Sequence, residues 1–176
     1  MNEQQESALR NYVSSSNPEV NQILRLNRGI DDEILALDSL FTTLVDSKTL
    51  YRLLPNTYVT IDGNSYKDSG YMSCSDDLDS LIAHFTCNNL CCFIINAPAG
   101  TAVIDVNSLM DEGVDESEYI LQRGTTLTIN STKSYLTDCD LQNFIDKYDL
   151  YSDIKEFKDV YHIESVIVYE CSINNN

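Results

Sequence analysis

The sequence is organised around Gly113-Val114-Asp115-Glu116-Ser117-Glu118-Tyr119-Ile120-Leu121-Gln122-Arg123-Gly124-Thr125. This stretch begins as a polar turn, becomes an apolar strand at Tyr119 and reaches its next break at Gly124. Because alternate residues of a strand share a face, extended geometry predicts that Glu116 and Glu118 lie side by side, about 6–7 Å apart. Two carboxylates at the start of a strand suit chemistry on a cationic or oxocarbenium-like centre. Alone, however, a Glu-x-Glu pair also occurs by chance, so the rest of the chain decides whether this pair is the catalytic feature.

Length and charge narrow the class of protein. The chain has 176 residues, 43% of them hydrophobic, which predicts one domain with a sizeable core. It carries 11 Lys and Arg against 28 Asp and Glu, for a net charge of −17. Such a surface repels phosphate backbones and anionic membranes, so we expect neither nucleic acid nor a membrane as partner, and a basic protein surface instead. With no apolar run near eighteen residues and no signal-peptide pattern, we expect an intracellular protein. We also expect a monomer.

The cysteines raise the question of a metal site. His84, Cys87, Cys91 and Cys92 cluster in sequence as zinc ligands do. However, Cys91-Cys92-Phe93-Ile94-Ile95 has the pattern of a buried strand, which sends adjacent cysteines to opposite faces. Buried cysteine is also a common small hydrophobic residue. We expect no metal and no disulfide, with the six thiols mostly buried.

The chain changes character near residue 48. Residues 1–48 are mainly helical in pattern: Asn17-Pro18-Glu19 is a good helix start, and Asp31 opens another helix. Strand patterns then fill residues 49–171, interrupted by helical segments, and residues 172–176 form a tail. The sequence predicts a single α+β domain over residues 1–176, with N-terminal helices followed by a bent or split, mainly antiparallel sheet.

Two of these strands carry polar residues in unusual places. Arg52 lies inside the apolar run Leu50-Tyr51-Arg52-Leu53-Leu54, where a guanidinium needs a carboxylate or phosphate partner, or else an edge position from which it reaches water. Ser73 and Ser75 of Tyr71-Met72-Ser73-Cys74-Ser75 share one face of a strand, and Cys74 has the other. Taken alone, this serine pair is also typical of an ordinary polar strand face before a helix cap.

Taken in order, the arginine, serine and Glu-x-Glu strands resemble those of the mono-ADP-ribosyltransferases of the Arg–Ser–Glu class, such as the clostridial binary actin-modifying toxins. The family's Tyr-Arg strand end is matched by Tyr51-Arg52, and its aromatic-x-Ser-Thr-Ser strand by residues 71–75, with Cys74 in place of the usual Thr. Its Glu-x-Glu element, followed by Arg-Gly-Thr, is matched by residues 116–125. Upstream, Tyr12 and Val20-Asn21-x-x-Leu24-Arg25 are similar to the family's helical Tyr and Ile-Asn-x-x-Leu-Arg. The resemblance covers residues 8–130 and the last strand.

The resemblance implies an ADP-ribosyltransferase-like domain with a cleft for NAD, the co-substrate. Glu118 would bond the ribose 2′-hydroxyl and stabilise the oxocarbenium ion, and Ser73 would orient Glu118. Arg52 would bind a phosphate through its two-pronged guanidinium, helped by Arg25, because the loop after Ser75 carries Asp76, Asp77 and Asp79 where the family often has a basic residue. Tyr12 would pack on the dinucleotide. Asn21 and Ser75 complete the expected cofactor-binding set.

The same resemblance implies the acceptor. In this family a Glu at the position of Glu116 accompanies arginine acceptors, so Glu116 would hold a guanidinium of the target protein and take its proton as the new C–N bond forms. The loop of residues 108–115 is the expected contact with that target. The expected setting is a host cytosol reached by a bacterial toxin or effector, or a bacterial cytoplasm infected by a phage.

Three other functions stay open from the sequence. An NAD glycohydrolase would use the same residues with water as acceptor. A non-enzymatic acidic binding or inhibitor protein would explain the charge of −17 but not the arginine, serine and glutamate strands. A degenerate family member would keep the fold as an interaction surface only.

Overall fold

The computed structural model describes residues 1–14, 18–110 and 117–173. None of the helices in these described segments is long and apolar enough to cross a membrane. The helices are α1 (Glu3–Val13), α2 (Glu19–Arg25), α3 (Asp32–Asp38), α4 (Leu78–Ala83), α5 (Val106–Leu109), α6 (Asp138–Lys147) and α7 (Ile154–Asp159). The strands are β1 (Thr42–Thr43), β2 (Lys48–Pro55), β3 (Ser65–Lys67), β4 (Met72–Ser75), β5 (Asn89–Ala97), β6 (Ala102–Asp105), β7 (Glu118–Leu121), β8 (Thr126–Tyr135) and β9 (Ser165–Ile173).

These strands form one mixed sheet in the order β1-β6-β7-β4-β2-β5-β9-β8-β3. All neighbouring pairs are antiparallel except β5 with β9, which run parallel. Strand pairing is least extensive in the middle of the sheet, because β2 and β4 pair only at Tyr51 and Ser75. Helices followed by a mainly antiparallel sheet, divided into two halves, confirm the predicted α+β fold class.

Three apolar clusters hold the helices on the sheet. The N-terminal helices bury Leu9, Ile34 and Leu37 against residues of β6 and β7 in one half. The C-terminal helices bury Phe144 and Phe157 against the other half. A third cluster is built mainly from strand residues of both halves. The two helical clusters are separate from each other, and the β2–β4 junction lies between them, which is where a cleft can form.

Local sequence signals explain most helix starts. Asp31 caps α3 through a bond from the Ile34 N–H, as predicted, and Asn2 caps α1 through a bond from the Gln5 N–H. Thr137 caps α6 by accepting from the Asp140 N–H. Strand β3 and helix α7 were not predicted, because neither is long enough to give a clear periodicity.

The expected geometry of the glutamate pair needs correction. Strand β7 begins at Glu118, and Ser117 has a φ of 47°, in the left-handed region. The backbone is therefore not extended at Ser117, so the alternation expected of a strand does not continue through this residue. Glu116 itself lies outside the described residues, as do residues 111–115 of the predicted target loop.

The cysteines occupy the positions that a buried strand dictates. Cys91 and Cys92 are both fully buried but belong to different apolar clusters on opposite faces of β5. The six thiols are free; Cys74, Cys91, Cys92 and Cys171 are buried, Cys87 is half-buried and Cys139 is exposed. Among the described residues, no three His, Cys, Asp or Glu side chains are grouped so that they could hold a metal ion.

Candidate active site

Arg52 occupies the gap that opens between β2 and β4. Its side chain is buried, and Nη1 donates to the backbone carbonyl of Ser73 at 2.9 Å, beyond the point where the two strands stop pairing. Nη2 donates to Asp68 Oδ2 at 3.2 Å. Nε is buried and has no hydrogen-bond partner in the described part of the chain. Of the two sequence-based interpretations of Arg52, the structure therefore supports an internal arginine with a carboxylate partner. One hydrogen-bond donor of its guanidinium, Nε, is not used by the described part of the chain.

That carboxylate partner, Asp68, also binds Arg25. Arg25 forms a two-pronged pair with it, Nε to Oδ1 at 2.9 Å and Nη2 to Oδ2 at 2.8 Å. Burial raises the pKa of Asp68, but bonds from Arg25 and the Gly70 N–H, with the charge of Arg52, outweigh it and leave the pKa below its usual value. Sequence reasoning missed Asp68, because an Asp two residues before a glycine is also a common turn signal.

Tyr12 connects the N-terminal helices to the serine strand. Its hydroxyl lies 3.1 Å from Ser73 Oγ and accepts from Asn21 Nδ2 at 3.2 Å. Burial raises the pKa of Tyr12, so the hydroxyl stays neutral and able to donate. The ring is 2% exposed and packs edge-on against Tyr71. Tyr12 thus holds the side chain of Ser73 through its hydroxyl. The contact of Tyr12 with NAD remains a prediction.

Asn21 uses its amide within the protein. Oδ1 accepts from the backbone N–H of Tyr71 at 2.7 Å, and Nδ2 donates to the Tyr71 carbonyl at 3.2 Å as well as to Tyr12. The side chain is buried, at 4% exposure. Asn21 therefore fixes α2 against the start of β4, and its predicted contact with NAD remains a prediction.

Glu118 faces the serine strand across the β4–β7 ladder. Antiparallel pairing puts Glu118 directly opposite Ser75, and Ser73 opposite Ile120. Directly opposed residues have Cβ atoms about 4.5–5.5 Å apart, whereas diagonal neighbours are about 7–8 Å apart. The direct cross-strand neighbour of Glu118 is therefore Ser75, and the hydroxyl of Ser73 lies 3.1 Å from that of Tyr12. That Ser73 orients Glu118 remains a prediction. Both Glu118 and Ser75 are buried, at 9% and 1% exposure.

The acidic loop after the serine strand has structural roles. Asp77 caps α4 through the Ser80 N–H, and Asp79 accepts from the backbone N–H of Tyr151 at 2.9 Å. Asp76 pairs with Lys48 at 2.9 Å, whose ammonium lies 4.9 Å from the centre of the Tyr119 ring. These carboxylates hold the ends of neighbouring elements.

Five of the predicted residues form one connected network. Hydrogen bonds run from Arg25 through Asp68 to Arg52, from Arg52 to the Ser73 backbone, and from the Ser73 hydroxyl through Tyr12 to Asn21. Ser75 and Glu118 adjoin it through the β4 backbone. The charge of Arg52 lowers the pKa of both Tyr12 and Cys74, and the charge of Glu118 raises it, so both charged groups lie near these two side chains. Residues separated by more than a hundred positions in sequence thus meet at the β2–β4–β7 junction.

The sequence profile of the ADP-ribosyltransferase exoenzymes matches residues 41–152, which include the arginine, serine and glutamate strands. The chain belongs to this ADP-ribosyltransferase exoenzyme family. No curated protein sequence matches it. Family membership confirms the resemblance to toxin-type mono-ADP-ribosyltransferases and makes the protein a transferase. NAD as co-substrate fits this family.

Solved structures of such toxins share the fold of the whole chain. Plx2a, an ADP-ribosyltransferase toxin from Paenibacillus larvae, is 17% identical, with 99% of this chain and 88% of that chain covered and a TM-score of 0.68. C3stau2 from S. aureus, determined with NAD, is 19% identical, with 100% of this chain and 89% of that chain covered and a TM-score of 0.64. BECa of a C. perfringens binary enterotoxin, determined with NADH, is 11% identical over 98% and 44%, with a TM-score of 0.67. At these identities the likeness establishes the fold alone.

Proposed function

We propose that the protein transfers ADP-ribose from NAD to an arginine of a target protein and releases nicotinamide. The observation that carries the proposal is the network that joins Arg25, Arg52 and Ser73 beside the Ser75–Glu118 pair, in a chain that also has Glu116. The reaction takes place inside a host cell or an infected bacterial cell.

The NAD diphosphate binds at Arg25 and Arg52. Around Asp68 the two guanidiniums leave a net charge of +1, in a chain whose total is −17. Guanidinium groups bind phosphate oxygens in pairs, and the unpartnered Nε of Arg52 indicates that the protein does not use all of its donors. Phosphates elsewhere on this acidic surface would be repelled, so the cluster also selects where the dinucleotide lies.

Glu118 acts on the ribose. As the glycosidic C–N bond breaks, nicotinamide leaves with the bonding electrons and an oxocarbenium ion develops at the ribose C1′. A carboxylate close to that centre stabilises the positive charge, and it accepts a hydrogen bond from the 2′-hydroxyl. Ser75, directly across the ladder, and Ser73, held by Tyr12, form the polar strand face on which Glu118 lies.

Glu116 and the loop of residues 108–115 select the acceptor. An arginine nitrogen of the target forms the new C–N bond to C1′, and its proton passes to Glu116. Because the pKa of arginine is above about 12, the proton must leave as the bond forms rather than before it. This role rests on the sequence and on the family resemblance, because Glu116 lies outside the described residues.

The experiment compares Glu118→Gln with Glu116→Gln in two assays, nicotinamide release from NAD and labelling of proteins in a lysate with tagged NAD. Glu118→Gln is expected to abolish both, because the ribose step is common to them. Glu116→Gln is expected to keep NAD cleavage and lose arginine labelling by about 10²–10⁴-fold, as for a general base. Mass spectrometry of the labelled lysate identifies the modified residue and the target.

The outcomes separate the proposal from its alternatives. If Glu116→Gln labels as well as the parent, arginine is not the acceptor. If the parent cleaves NAD and labels no protein in any lysate, it is a glycohydrolase. If the parent does not bind or cleave NAD, the fold serves as a binding surface and the enzymatic proposal is wrong.

A further inference from the structure

Asp68 is a buried carboxylate placed between the two arginines of the network. Its side chain is 5% exposed, against 8% for Arg52 and 41% for Arg25. Oδ2 accepts from both guanidiniums, at 2.8 Å from Arg25 and 3.2 Å from Arg52. Oδ1 accepts from Arg25 Nε and from the backbone N–H of Gly70, both at 2.9 Å. One carboxylate therefore holds two cations that come from separate elements.

The bond from Gly70 ties this carboxylate to the backbone. An Asp side chain is short enough to accept from the N–H two residues on, as in Asx turns. That bond fixes the carboxylate in the segment leading into β4, the strand that carries Ser73. Arg25 ends α2 and is nearly half exposed, so without Asp68 it would have the freedom of a surface arginine. Asp68 thus holds both guanidiniums in a fixed position relative to the serine strand.

We propose that Asp68 is a positioning residue of the NAD site, holding Arg25 and Arg52 where both bind the diphosphate. This rests on the proposed function, because it takes the two arginines as phosphate ligands. The carboxylate has a second, opposite effect, since it cancels one of two positive charges. Positioning is the larger effect, because Arg25 is 41% exposed and is held in place by this pair, and lost fork geometry weakens every paired contact.

The test is Asp68→Asn, which keeps the size of the side chain and the acceptor for Gly70 but removes the charge. We expect the Kd and KM for NAD to rise by about tenfold or more, with kcat changed much less, because the ribose chemistry lies elsewhere. In an NMR spectrum of the arginine side chains, the Nη2–H signals of Arg25 and Arg52 should lose their hydrogen-bonded shifts, because Oδ2, their shared acceptor, becomes an amide NH2 group. A role in stability alone would leave the ratio of KM to kcat unchanged in the folded variant.

The matched control is Asp38→Asn. Asp38 also forms a two-pronged pair with an arginine, Arg123, at 2.8 and 3.1 Å, and it accepts from the Tyr71 hydroxyl at 2.8 Å, but neither Arg25 nor Arg52 is among these partners. This variant should lose thermal stability and keep the Kd for NAD within about twofold. If it weakens NAD binding as much as Asp68→Asn does, the effect is one of general stability and the proposal is wrong.

A second variant, Asp68→Glu, retains the charge and decides the case if Asp68→Asn does not fold. Its longer side chain cannot keep the Gly70 bond and both arginine contacts, so the KM for NAD should again rise. Parent-like NAD binding by this variant, or tighter binding by Asp68→Asn, would overturn the positioning role alone. A parent protein that binds no NAD in a calorimetric titration would overturn the proposed function, and this proposal with it.

Discussion

Arg52 shows how a single residue can hold a charge inside a sheet. A guanidinium keeps its proton under all ordinary conditions, so its burial requires partners. The split between β2 and β4 supplies them, a carbonyl on one side and Asp68 on the other. The fork of the guanidinium is what reaches both.

We predict that Arg52→Lys weakens NAD binding by about tenfold although it keeps the charge, because an ammonium lacks the planar fork. Isothermal titration with NAD measures the change. Arg123→Lys is the matched control, since Arg123 pairs with Asp38 outside the network. Unchanged NAD affinity in Arg52→Lys would mean that Arg52 serves the fold only.

The ionisation of Asp68 predicts a dependence of stability on pH. Its pKa in the folded protein lies below the usual 3.8, so the unfolded chain takes up the proton first as the pH falls. The stability that the carboxylate contributes is therefore complete above 3.8 and is lost as the pH falls through the lower folded value. The difference in free energy of unfolding between the parent and Asp68→Asn should shrink over that range in urea titrations. A difference that stays constant down to acid pH would contradict the ion pairing.

At the scale of elements, α2 is locked to β4 by an unusually close contact. Gly70 does not have a left-handed φ, so its backbone conformation is open to any residue. Space is the constraint: a Cβ on Gly70 would lie 2.5 Å from Asn21 Oδ1 and 2.9 Å from its Cγ. Asn21 cannot turn aside without losing its bond from the Tyr71 N–H. The glycine therefore allows the helix to approach the strand that carries Ser73.

We predict that Gly70→Ala lowers the free energy of unfolding by about 1–3 kcal/mol, the usual cost of overpacking. Denaturant titration measures it, and a double-mutant cycle with Asn21→Ala locates the cause. In the Asn21→Ala background the same substitution should cost much less, because the clash is gone. An equal cost in both backgrounds would place the strain elsewhere.

At the scale of the whole molecule, the net charge bears on the encounter with the proposed target protein. The net charge is −17, and the segment from Asp105 to Glu118 contains only acidic charged residues. A basic target surface is therefore attracted over long range.

We predict that raising salt from about 0.05 to 0.5 M slows target labelling on the order of tenfold, through screening of this attraction. Nicotinamide release without a target should change much less, because NAD is small and its contacts are local. The two rates are measured in the same buffers. Equal salt dependence of both reactions would show that the acidic surface does not steer the target.

Burial also divides the six thiols. Burial raises the pKa of Cys74 and Cys171 to about 12 and that of Cys91 to about 11, so these groups are neutral thiols at neutral pH. We predict that Cys139, which is exposed, reacts first with an alkylating reagent, Cys87 more slowly, and the four buried cysteines only after unfolding. Peptide mass spectrometry follows the order, and Cys139→Ser should remove the fast phase. Rapid labelling of Cys74 in the native protein would contradict the packing of β4.

The sequence by itself determined the fold class, the family motifs and the order of the three strands. These depend on local patterns: alternation in Met72–Ser75 sends Cys74 into the core and leaves Ser73 to the other face, and Asp31 caps its helix within one turn. It also determined that Cys91 and Cys92 would separate, since strand geometry requires it. Such features depend on neighbours in the chain, which the sequence displays directly.

Only the tertiary structure decided which side chains meet. Asp68 binds Arg25 and Arg52, across 43 and 16 positions, and Tyr12 meets Ser73 across 61, because strands and helices from distant segments pack at the β2–β4 junction. Strand register gave Glu118 the neighbour Ser75 rather than Ser73. The positive φ of Ser117 ends the extended strand geometry that the sequence pattern favoured at this residue. Partners, register and single backbone angles are set by long-range packing, which local periodicity does not encode.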